Sequence, residues 1–423
     1  MKNLKISKLA EGFTSLAISN LSEKIDKKKQ QGEKIFNFTL GDFSPQQFAI
    51  PSELEAEIIT AYREKHTNYS YIGGIQELRT AIAKHIKVFE QFDYDPDDII
   101  VTSGARPLTY LLFKTLVDPG EKVIHTVPSW NNQPFIELAG AEPIVIAAKP
   151  ENNFMITTQE LEPHLKEAVL ITINSPLNPT GTVFSRQTLK EILDLIVVEN
   201  KIRAKHNQKP LYIFFDIIYW VLTYNEIKCD NPIMLNPEIR DYVVFVDGIS
   251  KCFAATGVRL GWAFGPKPII EKMRSILAHI GAWAPKPEQI GTARYLQKHD
   301  AVANFLSDFK SKLLTRLNIF YTAIQELKTA GYKVDAIKPQ GAIYLSIKLD
   351  LIGAKKTEDN TILKTVDDIL AYLLDDAKVA LVPFYFFGTE KNFPWFRLSV
   401  GTCSVEEAKI AAGNICQSVQ KLR

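Results

Sequence analysis

The stretch Phe214-Phe215-Asp216-Ile217-Ile218-Tyr219 places a carboxylate at the end of an intensely apolar run. An anion there is costly unless a cation or a hydrogen-bond donor meets it. Asp216 is therefore either the cap of a following helix or a buried anion paired with a protonated heterocycle. Further along, the apolar run Val243-Val244-Phe245-Val246 is followed by Asp247-Gly248-Ile249-Ser250-Lys251 and then by Thr256-Gly257-Val258-Arg259-Leu260-Gly261-Trp262. A lone lysine is ordinarily a solvated surface residue. Lys251 follows a buried strand and has Arg259 eight residues later, with glycines around it. Burial and a nearby cation lower an amine's pKa, which is the state a Schiff-base lysine needs.

Two more stretches have a chemical and a structural reading. Thr102-Ser103-Gly104-Ala105 joins a strand to a helix. Small residues at a helix N-terminus turn backbone N–H groups toward an anion, so this is a phosphate cradle or an ordinary cap. Asn174-Ser175-Pro176-Leu177-Asn178-Pro179-Thr180-Gly181 is a strong turn sequence. It is purely structural, or it aims Asn178 at a ligand.

The elements that must position these residues alternate along the chain. Short β-branched runs at 99–102, 122–126, 143–146, 169–173, 212–216, 243–247 and 261–264 read as strands, with helical patterns at 106–116, 132–138 and 187–199. Strands apolar on both faces and separated by helices predict a largely parallel sheet covered on both sides. Ligands of such sheets bind beyond the carboxyl ends of strands, where Ser103, Asn178, Asp216 and Lys251 all fall. A long helix at 302–330 follows, then strands at 342–348, 379–382 and 396–400 with a helix at 366–376. The expected organisation has three parts: an N-terminal segment 1–50, whose helix at 11–31 packs with the small domain; a large α/β domain over 51–300; and a smaller α+β domain over 301–423. The polar stretch 199–210 reads as a helix end and surface loop.

Composition narrows the function classes. A chain of 423 residues exceeds what one hydrophobic core usually serves. Its formal net charge of +2 and pI near 8.1 are too mild to argue for nucleic acid or an anionic membrane as partner. The lysine-rich stretch 24–34 also contains Asp26 and Glu33 and reads as a solvated helix face. Cys229, Cys252, Cys403 and Cys416 have neither metal-ligand spacing nor a disulfide pattern, so no metal and a reducing compartment, the cytoplasm, are expected. No signal peptide is read at the N-terminus. The most apolar segment, 211–222, is too short to span a bilayer and carries Asp216 at its centre.

In register, Asn178-Pro179-Thr180-Gly181, Asp216-x-x-Tyr219, Ser250-Lys251 with Arg259, and Phe396-Arg397-Leu398-Ser399 resemble the class I/II aminotransferases. These are pyridoxal 5'-phosphate (PLP) enzymes of fold type I, and the resemblance runs from Glu11 to the C-terminus. It implies a large domain with a seven-stranded, mostly parallel sheet, and transfer of an amino group from an L-amino acid to a 2-oxo acid.

Carried over residue by residue, the resemblance makes Lys251 the Schiff-base lysine and proton shuttle. Asp216 becomes the partner of the pyridinium nitrogen, while Tyr219 and Asn178 become donors to the ring's 3'-oxygen. Trp130, in Pro128-Ser129-Trp130-Asn131-Asn132, matches the aromatic residue stacked on the ring. Ser103, Gly104, Ala105, Ser250 and Arg259 match the phosphate cup. Tyr69, in Asn68-Tyr69-Ser70-Tyr71-Ile72-Gly73-Gly74, matches a tyrosine that reaches the phosphate from the neighbouring subunit, which implies a homodimer with shared sites. Arg397 resembles the bidentate clamp on the substrate α-carboxylate. Gly41 matches a glycine whose main chain borders the substrate, with Asn178 and Trp130 also beside it.

Three departures from the family pattern stand out. Gly248 occupies the place of a phosphate-binding serine found in many members. The stretch 41–51 is longer than the usual turn. Some aspartate-specific members place a lysine at the position of Ala105 to meet the distal carboxylate; that lysine is absent here, and Arg106 is the neighbouring residue. A carbon–sulfur β-lyase of the same fold is the alternative reading, because the shared residues fix the cofactor and carboxylate but not the fate of the carbanion. A non-catalytic binding protein is a third reading, opposed by the retention of Lys251.

Overall fold

The computed structural model describes residues 5–13, 18–130 and 132–423. Its strands are β1 (Phe36–Asn37), β2 (Ile99–Thr102), β3 (Lys122–Val127), β4 (Glu142–Ala147), β5 (Ala168–Asn174), β6 (Tyr212–Asp216) and β7 (Val243–Gly248). They continue with β8 (Gly261–Phe264), β9 (Val334–Ala336), β10 (Tyr344–Leu349), β11 (Val379–Ala380), β12 (Val382–Pro383) and β13 (Trp395–Ser399).

Seven strands form one sheet in the order β2-β8-β7-β6-β5-β3-β4, parallel throughout except β8, which runs against both neighbours. Strand alternation sorts its side chains between two cores. Phe214 and Val244 face Leu108, Leu111 and Leu112 of the helix Ala105–Leu116. Phe215 and Phe245 face the other layer, with Ile192, Leu193 and Ile196 of the helix Arg186–Lys205. Each such buried side chain contributes about 1.5–3 kcal/mol, so both faces must stay apolar. The predicted parallel sheet with helices on both sides is what the chain builds.

A second, antiparallel sheet has the order β12-β13-β10-β9. The helix His299–Thr329 ties the two sheets together: Val302 and Leu306 belong to the large core, whereas Phe309, Leu313, Leu317, Phe320 and Ile324 pack on the small sheet.

Four expectations need correction. The predicted strand 379–382 is two strands: β11 pairs in parallel with β1, and β12 pairs with β13. Strand β4 lies at the sheet edge and is largely exposed, although its sequence reads as buried on both faces. The stretch 199–210 is not simply surface. Its helix continues to Lys205, and the buried Arg203 binds Glu199 at 2.8 Å and the Leu165 and Ala168 carbonyls. The predicted helix 11–31 is resolved as Lys8–Gly12 and Ile18–Gln30, its middle lying outside the described residues. The second of these packs Leu21 and Ile25 on Leu374 and Ala380, and Lys28 pairs with Asp375 at 2.8 Å.

Among the described residues, no helix is long and apolar enough to cross a membrane.

Candidate active site

The carboxyl ends of the parallel strands open into a cavity of about 350 Å³. Gly41, Ala105, Trp130, Asn178, Asp216, Tyr219, Ser250, Lys251, Arg259 and Arg397 all line it. Residues from five strand ends and from the N-terminal segment thus converge, as the sheet topology requires.

Asp216 ends β6 and accepts the Ile218 N–H at 3.0 Å. Burial raises its pKa to about 6, moderated by that N–H and by Lys251. No helix follows Asp216, so the helix-cap reading fails: the Ile218 N–H closes a local turn, and a cationic donor in the cavity would meet the remaining carboxylate capacity. Lys251 lies in the short turn Ile249–Cys252 after β7 and donates to the Gly41 carbonyl at 2.6 Å. Burial brings its pKa down to about 8; Asp42 opposes that shift, while Arg397, Arg259 and Arg106 add to it. A neutral amine is thus accessible near physiological pH.

At the start of the helix Ala105–Leu116, Gly104 adopts φ +96° and Arg259 lies so close that a β-carbon on Gly104 would overlap its guanidinium. Arg259 donates to the Ser103 carbonyl at 3.1 Å and the Thr256 carbonyl at 2.8 Å. Backbone N–H groups and a guanidinium therefore frame one end of the cavity. Gly248 has a physical cause: a β-carbon there would come within 2.7 Å of the Leu260 carbonyl oxygen and 2.8 Å of the Gly261 α-carbon. The backbone of β8 closes the space where a serine would stand.

The opposite end is built around Arg397 on β13. Its Nη1 donates to Asn178 Oδ1 at 3.0 Å and its Nη2 to the Thr39 carbonyl at 2.6 Å, while its buried Nε has no hydrogen-bond partner among the described residues. Burial pulls its pKa below the usual arginine value. Asn178 is aimed by its own turn: its N–H donates to Asn174 Oδ1 at 2.8 Å, and Asn174 Nδ2 donates to the Asp216 carbonyl at 2.9 Å.

The long 41–51 stretch is anchored at both sides. Ser44 N–H donates to the Gly401 carbonyl, Phe43 and Phe48 pack on Phe309, and Asp42 accepts the Thr256 hydroxyl at 2.7 Å. Arg106 lines the cavity, its guanidinium 5.9 Å from the Trp130 ring centre. Tyr69 lies outside the cavity of its own chain, 87% exposed and edge-on to Trp283. Asn131 falls outside the described residues. Sequence reasoning missed Thr39, Asp42, Thr256 and Tyr344. Each lies in a stretch whose pattern is that of a loop or a core strand, so only packing reveals it.

The family model described as "Aminotransferase class I and II" matches residues 33–415. The chain belongs to the class I and II aminotransferases. Among relatives of this aminotransferase, the aspartate aminotransferase of Geobacillus stearothermophilus is 31% identical over 404 residues, covering 94% of this chain and 95% of that protein. A probable aspartate/prephenate aminotransferase of Rickettsia felis is 30% identical, covering 88% of this chain and 87% of that one. The crystal structure of the aspartate aminotransferase from Rhizobium meliloti superposes with a TM-score of 0.89 at 24% identity, covering 99% of this chain and 100% of that one. The aminotransferase is thus a fold type I enzyme that moves an amino group from an amino acid to a 2-oxo acid, and the relatives do not favour the lyase alternative.

Proposed function

We propose that this aminotransferase uses PLP held by Lys251 and acts on dicarboxylic amino acids, clamping the α-carboxylate on Arg397 and the distal carboxylate on Arg106. The observation that carries the substrate class is the pair of guanidiniums on one ring. Arg397 and Arg106 lie 5.8 Å and 5.9 Å from the Trp130 ring centre. Among the described residues Arg106 has no ion-pair partner, and burial and Arg259 lower its pKa, so a carboxylate would relieve it. The names of the relatives point the same way.

The residues fit PLP. Asp216 is a half-buried carboxylate with no ion pair among the described residues, Gly104 and Arg259 leave a cradle without a side chain on the glycine, and Lys251 is a weakly basic amine in the same cavity. Bound there, PLP would supply an electron sink for the pair left at the substrate α-carbon. Asp216 would hold the ring nitrogen's proton. Tyr219 and Asn178 would donate toward the 3'-oxygen, and Trp130 would cover the ring and exclude water. Ser103, Gly104, Ala105, Ser250 and Arg259 would take the phosphate. Lys251 Nζ, once released, would carry a proton to and from the α-carbon, and Gly41 would border the substrate.

The proposal extends to assembly and location. The exposure of Tyr69 (87%) and Tyr71 (75%) beside Trp283 supports a homodimer in which Tyr69 serves the other subunit's phosphate cup. The four free thiols support the cytoplasm.

The test is a panel of amino donors followed spectrally in single half-reactions. Aspartate and glutamate should react with higher kcat/KM than alanine or phenylalanine. Arg106→Gln should cost the dicarboxylates about 10²-fold, the worth of a charge-assisted pair, and leave alanine nearly unchanged. Equal losses for every donor would refute the distal role.

A further inference from the structure

The hydroxyls of Tyr219 and Tyr344 meet at 2.6 Å, on two different sheets' surroundings: Tyr219 just past β6 and Tyr344 at the start of β10. Both side chains are almost fully buried, and their rings cross edge-to-face at 5.6 Å. Among the described residues neither hydroxyl has another hydrogen-bond partner. Burial raises both pKa values, so both stay neutral phenols.

A phenol has one proton to donate. Within an isolated pair, either tyrosine can be the donor. That freedom ends when an acceptor in the cavity takes the Tyr219 proton. Tyr344 must then donate to Tyr219, giving a directed chain from Tyr344 through Tyr219 to the acceptor. Successive hydrogen bonds polarise one another, so the second bond is stronger than Tyr219 could make alone.

Tyr344 is also held for this task. A β-carbon on Gly41 would lie 2.6 Å from its hydroxyl oxygen, so the segment entering the cavity hems the hydroxyl in. The guanidinium of Arg397 lies 4.7 Å from its ring centre, on the face of the phenol. A cation there draws electron density from the ring and sharpens the hydroxyl as a donor.

We propose that Tyr344 is a positioning residue of the aminotransferase, fixing the direction of the Tyr219 proton toward the cofactor's 3'-oxygen and strengthening that bond. This rests on the cofactor reading given above.

The test is the pH titration of the visible absorption band of the PLP-loaded enzyme. Tyr344→Phe keeps the ring and removes the hydroxyl. A weaker Tyr219 bond stabilises the deprotonated oxygen less, so the band's apparent pKa should rise by about half a unit, a threefold change in proton affinity. In a Tyr219→Phe background the same change should produce no further shift. An unchanged titration in the single variant, with only a lower Tm, would assign Tyr344 a structural role and overturn the proposal. An equal shift with and without Tyr219 would also overturn it. Urea unfolding of the cofactor-free single and double variants supplies an independent readout, since a coupled hydroxyl pair must give non-additive losses. Failure of the unsubstituted enzyme to show any such band would refute the cofactor reading itself, an outcome distinct from the others.

Discussion

Asn178 and Arg397, 219 positions apart, meet through a 3.0 Å hydrogen bond from the guanidinium to the amide oxygen. The turn after β5 thereby sets the orientation of an arginine on the other sheet. With the Thr39 carbonyl accepting from the second, both terminal nitrogens of this cavity-lining guanidinium are held in place by protein oxygens. Arg397→Lys keeps the charge and loses the fork. We expect kcat/KM for amino acids to fall by about 10²-fold or more, because a bidentate charged pair is lost. Simple amines, which have no carboxylate, should suffer far less. Equal losses on both would make Arg397 a structural residue.

Asp216→Ala should leave the protein folded and cripple removal of the α-proton. Loss of a buried charge partner costs several kcal/mol, so single-turnover rates should fall by about 10²-fold or more. Near-normal rates with a normal Tm would exclude the anion–pyridinium pairing.

Lys251 has its pKa lowered to about 8 by burial. Its neutral fraction therefore grows as pH rises through 8, and so should the rate at which cofactor-free enzyme captures added PLP. Borohydride should then fix the pyridoxyl group on Lys251, as read by peptide mass spectrometry. Lys251→Ala should abolish turnover. A label on another lysine would overturn the assignment.

On β7, four residues before Lys251, Asp247 pairs with Glu90 in a buried acid pair. Glu90 and Asp247 are 3% and 4% exposed, and burial raises both carboxyl pKa values. His85, with its pKa lowered to about 3 by burial, offers them no cation. The folded state thus keeps a proton that the unfolded chain gives up above its ordinary carboxylate range. Below about pH 6.5 the neutral His85 contributes an opposite slope, so the fall should emerge as pH rises from about 6.5 toward 8, by about 1.4 kcal/mol per unit for one group. Glu90→Gln should flatten that slope in urea unfolding. A slope unchanged by the substitution would place the proton elsewhere.

Mixing a Tyr69→Phe subunit with a Lys251→Ala subunit tests the shared site. If Tyr69 crosses to its partner, the hybrid contains one site with both defects and one intact site, so activity per hybrid should recover to half that of the unsubstituted dimer. A hybrid showing only the Tyr69→Phe phenotype would mean that Tyr69 acts within its own chain.

Much of the site was legible because it punctuates strong patterns. Asp216 and Lys251 each follow a run of buried strand residues, and a charge in such a place announces itself. Tyr344 gave no such signal, since an aromatic residue opening a strand is what a core ordinarily demands. Its hydroxyl matters only because Tyr219 faces it from beyond the end of a strand in the other sheet. Arg106 was visible as a question, for a helix's first turn can point its side chain in or out. The split of the 379–382 strand was hidden for a similar reason: four apolar residues look alike whichever sheet each pair joins. The exposed edge at β4 reads as buried because periodicity records apolar character and not the presence of a neighbouring layer.

Gly248 and Gly261 stand opposite each other in the β7–β8 register, and Gly261 in turn lies against the backbone at 104 and 105. The floor of the proposed phosphate cup is therefore main chain stacked on main chain. A side chain at Gly248 would press on the backbone of Leu260 and Gly261, and one at Gly261 would press on the turn at 104 and 105. A hydroxyl cannot be grafted at 248 by a single substitution, as the sequence pattern of relatives would tempt an engineer to try. Three backbone segments, β7, β8 and the turn at 104 and 105, are thus packed in series with no room for a side chain between them, so a bulkier residue at 248 would push on the turn at 104 and 105 through Gly261.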